Sequence, residues 1–302
     1  MTGVNKINCR KAAIFSDIHS NYHAFAACYA DALKNGADCF IFLGDYISDL
    51  ADPQKSLDLV YEIQSKYPTV CLLGNRERYM LECKNGTSSF QKGSQTGSLL
   101  YTYQQLRPQD FAFLESLPSY DRIELNGIPF EIAHSVQKND RYYFDETDGK
   151  MECVFSQMQT SFLLTGHSHK QYIQCKGEKT IINPGSVGVP RRHGYLTQYA
   201  ILEFESASFQ CIFHQIPYDA KAMIRRQFES GLMEYAPHWA IGILYDVLTG
   251  EEYVLKLLER VSEYADGDDT IIHDEQIWHQ FASEMGMKFT QKEIEDAFAS
   301  GL

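Results

Sequence analysis

Residues 12–45 read AAIFSDIHSNYHAFAACYADALKNGADCFIFLGD, and their alternation of textures decides the fold. Ala12 to Ser16 is a short apolar run that ends at Asp17. Asn21 to Asn35 then places Phe25, Cys28, Tyr29, Ala32 and Leu33 at helical spacing and stops before Gly36, a residue suited to the left-handed position after a helix. Cys39 to Leu43 repeats the strand pattern and ends at Gly44-Asp45. Moving outward, Ser56 to Tyr67 is helical and closed by Pro68, and Val70 to Leu73 is a third strand ending at Gly74-Asn75. Strand, loop and helix in repetition predict βαβ units and a parallel sheet covered by helices.

Beyond a helical stretch around Gly97 to Leu117 the texture changes to hairpins. Arg122 to Glu124 and Pro129 to His134 flank an Asn126-Gly127 turn, and Phe162 to Thr165 is one more buried strand before Gly166. Tyr172 to Cys175 with Thr180 to Asn183 form a second hairpin, and Gln198 to Phe204 with Phe209 to Ile216 a third. This layout predicts a mixed sheet packed on a second sheet with helices outside both, a four-layer α/β/β/α sandwich. From Pro217 the pattern is helical, with Val254, Leu257, Leu258 and Val261 in one apolar stripe and a capping-box start at Thr290-Gln291-Lys292-Glu293. The division expected is a first unit over 1–216 and a C-terminal acidic helical region over 217–302.

Composition narrows the function. The chain has 302 residues, 44% hydrophobic and 22% charged, enough apolar material for a sizeable core and too little charge for disorder. Lys and Arg number 27 against 40 Asp and Glu, a net charge of −13, which disfavours a binder of nucleic-acid duplexes. Residues 216–302 hold 7 basic and 17 acidic side chains, so most of the excess lies there. No apolar run approaches the roughly 18 residues of a membrane span, and polar Met1 to Lys11 does not read as a signal peptide. The eight cysteines (9, 28, 39, 71, 83, 153, 175 and 211) form no C-x-x-C pair and are expected as free thiols in a reducing cytoplasm.

Each strand end terminates in a polar cluster, where open α/β sheets place their ligand sites. In order these are Asp17-Ile18-His19, Gly44-Asp45, Gly74-Asn75-Arg76-Glu77, His134-Ser135 and Gly166-His167-Ser168-His169. They offer carboxylates, imidazoles and an amide oxygen without a thiolate, a mixture suited to Mn, Fe, Zn or Ni. Any one cluster is ordinary turn, cap or core material; the ordered set is specific.

That set resembles the calcineurin-like metallophosphoesterase superfamily over roughly residues 10 to 215. It is most similar to the small bacterial and archaeal phosphodiesterases, through Ser16-Asp17-Ile18-His19-Ser20-Asn21, Asn183-Pro184-Gly185-Ser186 and Pro190-Arg191. The resemblance implies two divalent ions. One would be bound by Asp17, His19, Asp45 and His169 and the other by Asp45, Asn75, His134 and His167, with Asp45 bridging and a shared hydroxide attacking in line. It thus implies catalytic roles for Asp45, Asn75, Arg76 and His134, and the same four-layer fold.

Arg76 departs from the family, many of whose members carry a proton-donating histidine there. Arginine stays charged but grips phosphate with two parallel hydrogen bonds, which favours good leaving groups such as phosphoanhydrides. His193 is a candidate replacement donor. Substrate-binding candidates are Asn21, Arg76, Arg191 and Arg192; Asn21 reads equally as a helix cap, and the arginine pair as a solvated patch. Glu77 is expected to support a ligand or backbone. His23, His214, His238, His273 and His279 are taken as ordinary. Tyr101, Tyr103, Tyr142 and Tyr143 are expected in the core or at the cleft rim.

The function expected is hydrolysis of a phosphodiester or phosphoanhydride of nucleotide type, such as a dinucleoside polyphosphate. The alternatives are a protein or general phosphatase, or an interaction protein on the same fold, as the superfamily's retromer subunit resembles. A small phosphorylated substrate is the expected partner, with no duplex and no membrane, and a homo-oligomer is left open. The C-terminal region is left open between a docking or dimerisation module and a lid.

Overall fold

A computed structural model describes residues 5–135, 151–192, 194–206 and 208–301. The chain opens with strands β1 (Asn5–Ile7) and β2 (Lys11–Phe15), helix α1 (Tyr22–Lys34), β3 (Cys39–Phe42), α2 (Pro53–Lys66) and β4 (Thr69–Cys71). Helices α3 (Asn75–Lys84), α4 (Ser94–Gln105) and α5 (Pro108–Ser116) follow, then β5 (Tyr120–Leu125), β6 (Ile128–Ala133) and α6 (Met151–Gln157). Strands β7 (Phe162–Thr165), β8 (Gln171–Lys176), β9 (Lys179–Pro184), β10 (Thr197–Glu205) and β11 (Ser208–Ile216) complete two sheets. The remainder is helical: α7 (Ala220–Glu229), α8 (Pro237–Thr249), α9 (Tyr253–Ala265), α10 (Asp269–Ile272), α11 (Glu275–Glu284) and α12 (Gln291–Ala299).

The opening stretch forms the centre of the first sheet, ordered β11-β10-β2-β3-β4, in which β2, β3 and β4 run parallel. The second sheet is ordered β1-β5-β6-β7-β9-β8, with β6, β7 and β9 parallel. The apolar residues alternate between two cores. Ala12, Ile14, Cys39 and Ile41 face Ile123, Phe130, Ile132 and Leu164 between the sheets. Ala13, Phe15, Phe40 and Phe42 face the outer helices, where the Phe15 ring meets Phe25 and Phe42 at 5.8 and 5.5 Å between centroids. Helix α6 covers the far side of the second sheet through Met151, Val154 and Phe155 against Leu163 and Ile181. The result is the α/β/β/α sandwich.

Three details depart from the sequence reading. Strand β1 lies in the polar N-terminal stretch, for which no strand was expected, pairing in parallel with Ile123–Leu125. Helix α3 starts on the Gly74-Asn75 motif, with the Glu77 carboxylate accepting from Gly74 N at 2.9 Å. The stretch from Gly97 is two helices, because the ring of Pro108 starts a new one. The C-terminal helices share one apolar core in which Leu50 and Val189, from the loops beyond β3 and β9, pack among Trp239, Ile243, Leu244, Val254 and Trp278. No described helix is long and apolar enough to cross a membrane.

Candidate metal centre

The parallel strands of both sheets end at one edge of the sandwich, and their following turns carry all seven expected ligands. Five of these, Asp17, His19, Asp45, His167 and His169, hold positive φ between 48° and 67°. Each such conformation is costly for a residue with a Cβ. The turns interlock to hold it: Asp17 N donates to Gly44 O at 3.0 Å and His19 N to Asp45 O at 2.9 Å. Gly44 (φ +101°) is required here, since a Cβ would stand 2.6 Å from Gly74 N.

The side chains converge as two clusters, Asp17-His19-His169 and Asp45-His134-His167. In the first, His19 Nε2 and His169 Nε2 face each other at 3.0 Å, and Asp17 Oδ1 lies 3.4 Å from His169 Nε2. In the second, His134 Nε2 lies 3.1 Å from Asn75 Oδ1 and 3.3 Å from His167 Nδ1. Asp45 Oδ2 stands between the clusters, 3.7 Å from His19 Nε2 and 3.4 Å from His134 Nε2.

What the other ring atoms touch fixes which nitrogen faces inward. Nδ1 of His134 donates to Leu43 O and Nδ1 of His169 to Val189 O, both at 2.8 Å, because a carbonyl can only accept. Asp17 Oδ2 accepts from His167 N at 2.9 Å, leaving buried Oδ1 with no hydrogen bond among the described residues. Glu77 meets its expectation as a support, its carboxylate accepting from the amides of Asp45 (2.8 Å), Tyr46 (2.8 Å) and Gly74 (2.9 Å).

The electrostatics ask for a cation. Burial pushes the Asp17 and Asp45 carboxyls up, but His169 and His134 outweigh it and hold both far below the ordinary range. Burial works against a charged His134, yet Asp45 and Asp17 raise it to about 9. His167 is pushed down to about 3, by burial and then by His134. A buried, orphaned carboxylate oxygen among imidazoles, two of them locked through Nδ1, is a donor set that fits divalent ions.

Arg76 lies at the same edge. Its amide donates to Asp45 Oδ1 at 2.9 Å, its Nη2 pairs with Asp49 Oδ2 at 3.0 Å, and its buried Nε has no hydrogen-bond partner among the described residues. Asp49 went unnoticed in the sequence. Its Oδ2 also lies 3.0 Å from His19 Nδ1 at an oblique angle, and its Oδ1 accepts from Trp239 Nε1 at 3.0 Å. The signal was an acidic residue four positions after Asp45, before the apolar pair Leu50-Ala51.

Two substrate-binding expectations need correction. Arg191 is buried, with Nη1 on Asp246 Oδ2 at 3.0 Å and on Glu251 O at 2.8 Å, so its guanidinium is committed to the C-terminal helices. Asn21 caps α1 through Ala24 N and donates to Gly188 O at 2.9 Å and Tyr218 Oη at 3.1 Å, which leaves it no group to offer a phosphate. Arg192 is exposed. Tyr101 is buried with its hydroxyl on Ala51 O. His193, Tyr142 and Tyr143 lie outside the described residues.

The family model described as the calcineurin-like phosphoesterase superfamily domain matches residues 11–207. The chain belongs to that superfamily. It is 25% identical over 242 residues to the uncharacterized protein MJ0912 of Methanocaldococcus jannaschii, covering 75% of this chain and 94% of that one. The fold is shared with a metallophosphoesterase from Sphaerobacter thermophilus (TM-score 0.62, 22% identity, 81% of this chain and all of that one). It is shared also with the hypothetical protein PH1004 from Pyrococcus horikoshii (TM-score 0.68, 16% identity, 80% and 99%).

Proposed function

We propose that the chain is a divalent-metal-dependent hydrolase of phosphodiesters or phosphoanhydrides, acting on a nucleotide-like compound such as a dinucleoside polyphosphate. The observation that carries this reading is Asp45 Oδ2 standing between His19 Nε2 and His134 Nε2, each the inward nitrogen of a separate cluster. Two ions of the Mn, Fe, Zn or Ni kind, held by Asp17, His19, Asp45 and His169 and by Asp45, Asn75, His134 and His167, would supply Lewis acidity and a nucleophile at neutral pH.

The chain's own contribution is positioning and charge. Arg76, paired with Asp49, would set a permanent positive charge beside the phosphoryl oxygens. Burial works against its charge, but Asp49 and Asp45 keep the guanidinium protonated, so it cannot deliver a proton to the departing group. A leaving group that needs little protonation is therefore favoured, which points to anhydrides and activated diesters over alkyl monoesters. Arg192 is the remaining arginine candidate for a distal phosphate. The phosphoesterase unit is taken as residues 1–216, and the eight free thiols accord with a reducing cytoplasm.

The test is turnover of diesters, monoesters and dinucleoside polyphosphates after chelation and re-addition of Mn, Ni, Zn or Mg. Metal-restored cleavage led by an anhydride or activated diester is expected. Faster cleavage of an alkyl monoester overturns the leaving-group argument, and no cleavage of any compound favours an interaction protein. Arg76→His should raise the rate on poor leaving groups relative to good ones; an unchanged preference counts against Arg76 as the determinant.

A further inference from the structure

We propose that helix α8 of the C-terminal region is the brace of the first metal cluster, and that Asp49, Trp239 and Asp246 are its positioning residues. This rests on the metal-centre reading above, and it goes beyond it by giving the C-terminal helices a role in the site.

Trp239 and Asp246 are seven residues apart on α8, two turns, and so lie on one face. Both are buried. Each reaches a different loop, after β3 and after β9, and each of those loops touches one imidazole of the first cluster, His19 or His169. Trp239 Nε1 donates to Asp49 Oδ1, and the other oxygen of that carboxylate faces His19 Nδ1 and Arg76 Nη2. Asp246 Oδ2 holds Arg191, whose amide donates to His169 O at 3.0 Å, two residues from Val189, the acceptor of His169 Nδ1. Asp246 Oδ1 also accepts from Val254 N, which ties α9 to the same point. Between the two anchors, Leu50 and Val189 pack into the apolar core of α8, so the loops are seated as well as bonded.

Asp45 and His134 of the second cluster are held differently, by Glu77 and by the carbonyl of Leu43, both within the sandwich. The two clusters therefore differ in what positions them. Outer partners of ligand histidines fix ring orientation and basicity, and their loss typically weakens metal binding by about 10–100-fold. Asp49 acts on one ligand and on the phosphate-facing Arg76 together, so a single carboxylate sets the register between metal and substrate.

The experiment is Mn²⁺ titration of the full chain followed by electron paramagnetic resonance, which separates coupled pairs from single ions. It is read beside thermal melting and nitrogen NMR of the His19 ring. Asp49→Asn should weaken one of two ions about 10–100-fold, replace the coupled signal with a mononuclear one and shift the His19 ring nitrogens. Trp239→Phe, which keeps the packing and removes one N–H, should move the same readouts in the same direction by a smaller factor, and it serves where Asp49→Asn does not fold. Leu244→Ala, in the same core without a polar anchor, should lower the melting temperature and leave both ions bound as in the wild type.

Folded Asp49→Asn and Trp239→Phe proteins with two ions at wild-type affinity overturn the proposal. So does a Leu244→Ala protein that loses the first ion as readily as they do. A wild type that takes up two ions and hydrolyses nothing breaks the hydrolase reading and leaves this one standing.

Discussion

The two halves of the centre are built from opposite sides. The second cluster grows out of the sandwich itself: Asp45 and Asn75 follow neighbouring parallel strands, and Glu77, three residues from Gly74, bonds the amides that fix their turns. The first cluster lies at the same edge, but His19 and His169 are backed by groups from α8, Trp239 lying 190 residues beyond Asp49 and Asp246 55 beyond Arg191. The two clusters thus share one edge of the sandwich and differ in what supports them.

The largest test of that contrast removes what the halves share. Asp45→Asn takes away the oxygen between His19 and His134, and we expect loss of the coupled ion pair with activity lowered by more than the roughly 100-fold cost of losing a supporting residue. Metal analysis and turnover of the best substrate check this.

The second concerns the outer brace alone. Burial pushes the Asp246 carboxyl up to about 6 from 3.8, with Arg191 pulling the other way. A folded-state value above the unfolded one gives stability that is full below pH 4 and lost as pH rises through 6. At 1.36 kcal/mol per unit, the unfolding free energy of the wild type relative to Asp246→Asn should fall by about 2 kcal/mol between pH 4 and pH 7. Paired denaturant titrations across that range measure it, and a flat difference removes the argument.

The smallest acts on the inner brace. Glu77→Gln turns an amide NH₂ toward backbone N–H donors, and should weaken metal uptake about 10-fold, with the loss falling on the second ion. If Glu77→Gln and Trp239→Phe weaken the same ion, the two-sided construction is wrong.

Much of this could be read from the chain. The strand ends were visible because each apolar run stops at a Gly-polar pair, and their order carried the seven ligand candidates. Strand β1 was hidden because three residues with one buried side chain make no pattern. The start of α3 was hidden because Asn75 to Glu77 looks like loop chemistry, while only Glu77 marks the helix start by accepting from Gly74 N. Asn21 takes the cap of its two readings and Arg191 neither of its two, for one reason: a polar group near a site looks available until its partners are known. Those partners, Asp246 and Gly188, lie 55 and 167 residues away. Asp49 and Trp239 escaped likewise, since only the fold joins positions 190 apart.

Five of the candidate ligands sit on backbone twisted into the left-handed region, at roughly 1–3 kcal/mol each, and interlocking turns hold them there. The aim of the donors is therefore written into the main chain before any cation arrives. Ions of different radius would meet the same rigid seat, so discrimination among them would follow from how each tolerates a spacing it cannot adjust.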